Sequence, residues 1–228
     1  MMANGDVTVA MPDRVAAVLF DLDGTLTDPH VGITTSIRNA MVELGRPLAP
    51  EVDLDWTIGP PLIDVFATLF DGDRDRAEAG VAAYRARYGT VGLFENEVYP
   101  GIPELLARLR DEGRRLFVAT SKPHVFARRI LEHFDLARFF VAIHGSELDG
   151  RRAAKTDLIP WILTREKIDP ASAVMIGDRA YDVVGARSAG LPTIGVAWGF
   201  GGRDELEAAG AALVVDRVAE LGPCFAGR

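Results

Sequence analysis

The chain has 228 residues, a formal net charge of −8, 48% hydrophobic and 25% charged residues, and one cysteine, Cys224. That length buries a sizeable core as one domain or two small ones, and the ordinary apolar content excludes wholesale disorder. The acidic balance argues against partners such as nucleic acid polymers or an anionic membrane surface, and a single cysteine excludes an intramolecular disulfide.

The opening MMANGDVTVAMPDR lacks a basic stretch followed by an apolar one, and no apolar run approaches the length of a membrane span. A cytoplasmic protein is expected, with Val7 to Val9 adding at most a little edge structure. Val15 to Phe20 then forms an apolar run with the character of a strand buried on both faces. It stops at Asp21-Leu22-Asp23-Gly24-Thr25. If the chain stays extended past Phe20, the spacing of two puts the Asp21 and Asp23 carboxylates on one side of the backbone, with Leu22 turned to the core. Two like charges held that close call for a cation, and oxygen ligands select a hard one such as Mg2+.

After Asp28-Pro29 the spacing of Ile33, Ile37, Met41 and Leu44 predicts a helix ending at Gly45. Gly59-Pro60-Pro61 opens a second helix with Leu62, Phe66, Leu69 and Phe70, and a third carries Ala77, Val81, Tyr84 and Tyr88. This block contains no confident strand and reads as a helical subdomain with stems near Asp28 and Val98. From Ile102 onward helices alternate with short apolar runs at Leu116–Ala119, Val141–Ile143, Ala173–Ile176, Thr193–Val196 and Leu213–Val215. Regular alternation implies a doubly wound, mostly parallel α/β sheet. The expected division is a core of residues 1–27 and 98–228, with 28–97 as an inserted helical cap.

Polar groups fall at the ends of these runs. Thr120-Ser121-Lys122 follows the second strand and Gly177-Asp178 follows another, and in an open parallel sheet such loops converge on one crevice. Thr120 can donate its hydroxyl to an anionic oxygen beside the free N–H groups of the helix starting near Pro123. Lys155 would offset charge building on a phosphate and an anionic nucleophile. Asp178 and Asp21 could hold Mg2+ together, and Asp182 could join them directly, act through water, or orient Lys155.

DLDGTLT at 21–27, ATSKP at 119–123, Lys155 and GDRAYD at 177–182 resemble the four motifs of the haloacid dehalogenase superfamily of phosphatases. The helical block resembles the C1-type cap of its phosphoglycolate phosphatase-like branch. The resemblance implies that Asp21 is the nucleophile and forms an aspartyl-phosphate, while Asp23 protonates the leaving oxygen and then activates water. It implies Mg2+ on Asp21, the Asp23 backbone carbonyl and Asp178, with Asp182 at or just behind the ion, and a phosphoryl group held by Thr120, Ser121 and Lys155. Substrate choice is expected in the cap. Arg38, Arg85 or Arg87 could meet a carboxylate, near the turn at Gly59, whereas Trp56, Tyr84 or Phe94 could stack on a nucleobase. The leading expectation is a phosphatase of small metabolites such as 2-phosphoglycolate. A 5'-nucleotidase is the alternative, and a phosphomutase or a noncatalytic interaction protein ranks below both. The length permits a monomer, and a cap surface or exposed helix could support a homodimer.

Overall fold

The computed structural model describes residues 9–225, so the segment expected at Val7 to Val9 lies, except for Val9, outside the described residues. Strand β1 (Ala17–Phe20) is fully buried and central. Side chains on a strand alternate between faces. Val18 and Phe20 therefore join one hydrophobic cluster, and Ala17 and Leu19 join a second on the opposite side.

The sheet is completed by β4 (Arg115–Pro123), β5 (Ala142–Ser146), β6 (Ala173–Gly177), β7 (Thr193–Val196) and β8 (Leu213–Val215), in the order β5-β4-β1-β6-β7-β8. Every pairing is parallel. Helices α4 (Ile102–Asp111) and α5 (His124–His133) cover one face, and α6 (Lys155–Glu166) and α7 (Ala180–Ser188) cover the other. After β1 the chain builds outward through β4 and β5, then returns to the other side of β1 to build β6, β7 and β8. The carboxyl ends of β1, β4 and β6 thus surround the point where the winding reverses, where doubly wound sheets leave a crevice.

Between β1 and α4 the chain forms a helical cap of α1 (His30–Glu43), α2 (Leu62–Leu69) and α3 (Arg74–Arg87). Its two stems pair as an antiparallel ribbon, β2 (Thr27–Asp28) with β3 (Glu97–Val98). The sequence did not announce this ribbon, because two residues are too few to display a period of two. Helix α8 (Gly202–Ala208) precedes β8, and a further short helix, α9 (Val218–Cys224), follows it beyond the expected last element. Gly222 and Pro223 inside α9 obscure its helical signal, and Leu221 anchors it in the core.

Candidate active site

Asp21 leaves β1 with its backbone N–H donated to the Ile176 carbonyl at 2.9 Å, which ties the first acidic loop to β6. Asp178 follows β6, and Asp182 sits in the first turn of α7. All three side chains are buried, and one oxygen from each lies within 4.8 Å of the others. The approach requires Gly24: its φ is +80°, and a Cβ there would stand 2.1 Å from Asp178 Oδ2. Thr25 Oγ1 donates to Asp178 Oδ1 at 3.2 Å, and the Phe200 backbone N–H donates to Oδ2 at 2.9 Å.

Lys155 enters from the first turn of α6. Its Nζ donates to the Ala119 carbonyl at 2.6 Å and stands 2.8 Å from Asp21 Oδ1 and 2.6 Å from Asp182 Oδ1. Burial disfavours its ammonium, yet Asp182 and Asp21 outweigh that and raise its pKa. One cation for three carboxylates leaves the cluster in excess negative charge. Burial pushes the Asp178 carboxyl well above the ordinary aspartate value, and Asp182 and Asp21 push it the same way. Burial raises Asp182 as well, against the lowering by Lys155. The buried Oδ1 atoms of Asp21 and Asp182 share the one Lys155 ammonium and have no other partner, so an added cation would meet oxygens still short of countercharge.

This all-oxygen donor set fits a hard divalent ion. The protein stripped with EDTA is accordingly expected to gain thermal stability when Mg2+ is added, by about 5–10 °C at a hundredfold excess over Kd. Asp178→Asn should remove that gain. An equal shift in the variant would show that the ion binds elsewhere.

The cluster opens on a cavity of about 450 Å3 between core and cap, whose lining includes Asp21, Asp23, Thr120 and Ser121. Gly59 and the following prolines also line it, with Gly59 at φ +110° and packed on the Arg179 side chain. Of the three cap arginines singled out in the sequence, only Arg85 reaches this wall. Arg38 instead donates to the carbonyls of Ala49, Pro50 and Val52 and fastens the loop after α1. Arg87 forks onto Glu95 at 2.8 Å and reaches Ser36, an arrangement internal to the cap. Tyr84 lines the cavity while stacked on Tyr88, but Trp56 and Phe94 are surface residues outside it.

The Asp23 side chain does not join the carboxylate cluster. Both of its oxygens lie 2.7 Å from Lys122 Nζ. Burial raises the Asp23 pKa, and Lys122 opposes that rise. Sequence reasoning passed over Lys122, although it sits inside the 119–123 motif. It also passed over the loop after β5, where Ser146 to Gly150 form part of the cavity wall. Arg179 pairs with Glu205 at 3.0 Å and donates to the Ile58 carbonyl, joining core to cap.

Residues 18–196 match the family described as haloacid dehalogenase-like hydrolase. A 5'-nucleotidase of Pseudomonas aeruginosa is 49% identical over 195 residues, covering 86% of this chain and 88% of that protein. The tyrosine-protein kinase PtkA of Mycobacterium tuberculosis is 43% identical over 191 residues; the match takes in 83% of this chain but 65% of the relative. Among solved structures, a predicted phosphatase from Clostridium acetobutylicum superposes with a TM-score of 0.90 at 44% identity, covering 93% of this chain and 98% of that one. Among the described residues, no helix is long and apolar enough to cross a membrane. With its buried aspartate cluster at the strand ends and its helical cap, the chain belongs to the haloacid dehalogenase-like hydrolases, related to the phosphoglycolate phosphatase-like branch, and is a phosphatase-type enzyme for a small phosphorylated substrate.

Proposed function

We propose that this hydrolase is a Mg2+-dependent 5'-nucleotidase, releasing phosphate from nucleoside 5'-monophosphates. The observation that carries the reading is the shape of the cavity. Beyond the polar end at Asp21 and Thr120, the wall of this cavity of about 450 Å3 includes an apolar part formed by Ile33, Leu62, Ile63, Val81 and Phe126, beside Arg85, Glu78 and the loop from Ser146 to Gly150. A two-carbon acid such as phosphoglycolate would leave this apolar wall uncovered, whereas a nucleoside buries its base and ribose against it. Likeness to a 5'-nucleotidase at 49% identity supports the same choice over the phosphoglycolate expectation drawn from the sequence.

In this reading an Asp21 carboxylate oxygen attacks phosphorus as the bond to the 5'-oxygen breaks. The departing oxygen takes the Asp23 proton and leaves as the nucleoside hydroxyl. Asp23, now a carboxylate, then takes a proton from the water whose oxygen attacks the phosphoaspartyl phosphorus, which frees inorganic phosphate and restores Asp21. Thr120, the Ser121 backbone amide and Lys155 hold the phosphoryl oxygens. Asp21, Asp178 and Asp182, with the Asp23 carbonyl, would hold Mg2+, which supplies charge neutralisation to the phosphoryl group.

Arg85 is the candidate contact for the nucleoside. It is half-buried on the wall, and its guanidinium makes no hydrogen bond or ion pair among the described residues. Burial lowers its pKa from the ordinary arginine value, and it remains a cation able to lie over a base or donate to a ribose hydroxyl. The test is Mg2+-dependent phosphate release from AMP and 2-phosphoglycolate in parallel. AMP should be preferred in kcat/KM by at least about tenfold, and Arg85→Met should raise the AMP KM about 5- to 30-fold with kcat nearly unchanged. Preference for phosphoglycolate, with Arg85→Met damaging that activity instead, would return the site to the first expectation.

A further inference from the structure

Lys122 has an unusual setting for a lysine. Its side chain is 6% exposed, its Nζ holds both Asp23 oxygens at 2.7 Å, and the same ammonium donates to the Tyr88 hydroxyl. The Tyr88 ring centroid is 4.9 Å from Nζ, and Tyr88 itself is buried where α3 ends in the cap. Three segments far apart in the chain, the first acidic loop, the end of β4 and the end of α3, therefore meet at one nitrogen.

The backbone is built to deliver it. Along β4 and β5 the pairing runs in step to Thr120 and Gly145, then jumps to Pro123 opposite Ser146. Such an irregularity bends a strand and re-aims its side chains. Thr120 Oγ1 takes the Lys122 backbone N–H at 3.2 Å, and Ser146 Oγ donates to the Ser121 carbonyl at 2.8 Å, so the displaced segment is fastened on both sides.

We propose that Lys122 is a positioning residue that holds the Asp23 carboxyl group in line with the leaving-group oxygen, and that Tyr88 fixes Lys122 so that the seating of the cap is felt by the acid. The inference rests on the phosphomonoesterase reading of the site but not on which alcohol leaves. When Asp23 gives its proton to the departing oxygen it becomes a carboxylate already faced by an ammonium, so the charge produced in the transition state meets a fixed countercharge with no reorganisation. A flexible, solvated lysine could not do this. Burial and the Tyr88 contact restrict Lys122 to the one geometry.

Leaving-group dependence separates this role from a merely structural one. AMP and 2-phosphoglycolate both expel alkoxides that need a proton; p-nitrophenyl phosphate expels a stable phenolate that does not. In Lys122→Met, kcat/KM, which reports the steps through departure of the leaving group and not the later water attack common to all esters, should fall about 100-fold on whichever alkyl ester the wild type hydrolyses, with less than about 5-fold loss on p-nitrophenyl phosphate. Tyr88→Phe should show the same selectivity at smaller size. It also keeps the test open if Lys122→Met is poorly folded. In an Asp23→Asn background, Lys122→Met should add little further loss on the alkyl ester, since the two act as a unit. Equal losses on alkyl and aryl esters, or losses that multiply with Asp23→Asn, would overturn the proposal. Failure of the substrate assignment would look different: the wild type would leave AMP untouched while hydrolysing phosphoglycolate, and the alkyl-to-aryl comparison would still be made.

Discussion

Asp21→Asn is expected to lower phosphate release by at least about 10^4-fold, because a neutral amide cannot form the aspartyl-phosphate that the pathway passes through. The fold should survive. Asn is nearly isosteric with Asp, and the ammonium of Lys155 would keep Asp182 at 2.6 Å and the Ala119 carbonyl at 2.6 Å, so it is not left unpaired. Removing the Asp21 charge also relieves Asp178 and Asp182, whose raised pKa values both include repulsion from Asp21. In EDTA the variant should therefore melt at or slightly above the wild-type temperature. The two readouts together decide the matter: turnover measured with excess Mg2+ and AMP, and a melting curve in EDTA. An active variant would remove Asp21 as the nucleophile. An inactive variant that melts well below wild type would leave the loss attributable to folding.

The residues named in that experiment were legible in the sequence because their chemistry is written locally. An apolar run followed at once by Asp21 and Asp23, or by Gly177 and Asp178, states both the strand and the group presented at its end. The reversal of winding beside β1 then brings those ends together. Partners were harder to read. The Lys122 contact to Asp23 spans 99 positions in the chain and depends on a register jump in β4 that no periodicity announces. In the cap, α3 carries both Arg85 and Arg87, yet Arg85 reaches the cavity wall while Arg87 turns to Glu95. A rotation of about 200° over two helical positions decides between them, and only the packed position of the helix fixes which way each points. Aromatic residues were ambiguous for the same reason: Phe94 lies over His133 and beneath Arg129 on the surface, while Tyr84 both stacks on Tyr88 and lines the cavity.

Lys155→Met should show the largest effect on stability. The methionine keeps the apolar stem but leaves Asp21, Asp178 and Asp182 buried around no cation. Breaking a buried ion pair from one side costs about 3–5 kcal/mol, which for a chain of this size corresponds to a fall in Tm of about 6–20 °C. Metal-free protein should also show a distinctive pH dependence. In the wild type, burial and mutual repulsion already hold Asp178 and Asp182 above the ordinary value of 3.8, with Lys155 the main group opposing the rise at Asp182. Without that ammonium the folded-state pKa of Asp182 moves further up. A carboxyl raised on folding binds more protons in the native state than in the unfolded one, so its contribution is present below pH 3.8 and is lost as pH rises through the folded-state value. The deficit of Lys155→Met relative to wild type should thus be small in mild acid and grow toward pH 8. Mg2+ should recover part of it at neutral pH by restoring a cation to the cluster. Melting curves of both proteins between pH 5 and 8, with EDTA and with Mg2+, measure all three effects. A deficit independent of pH and of the metal would mean that Lys155 contributes packing rather than charge, and that the aspartates are neutralised by some other group.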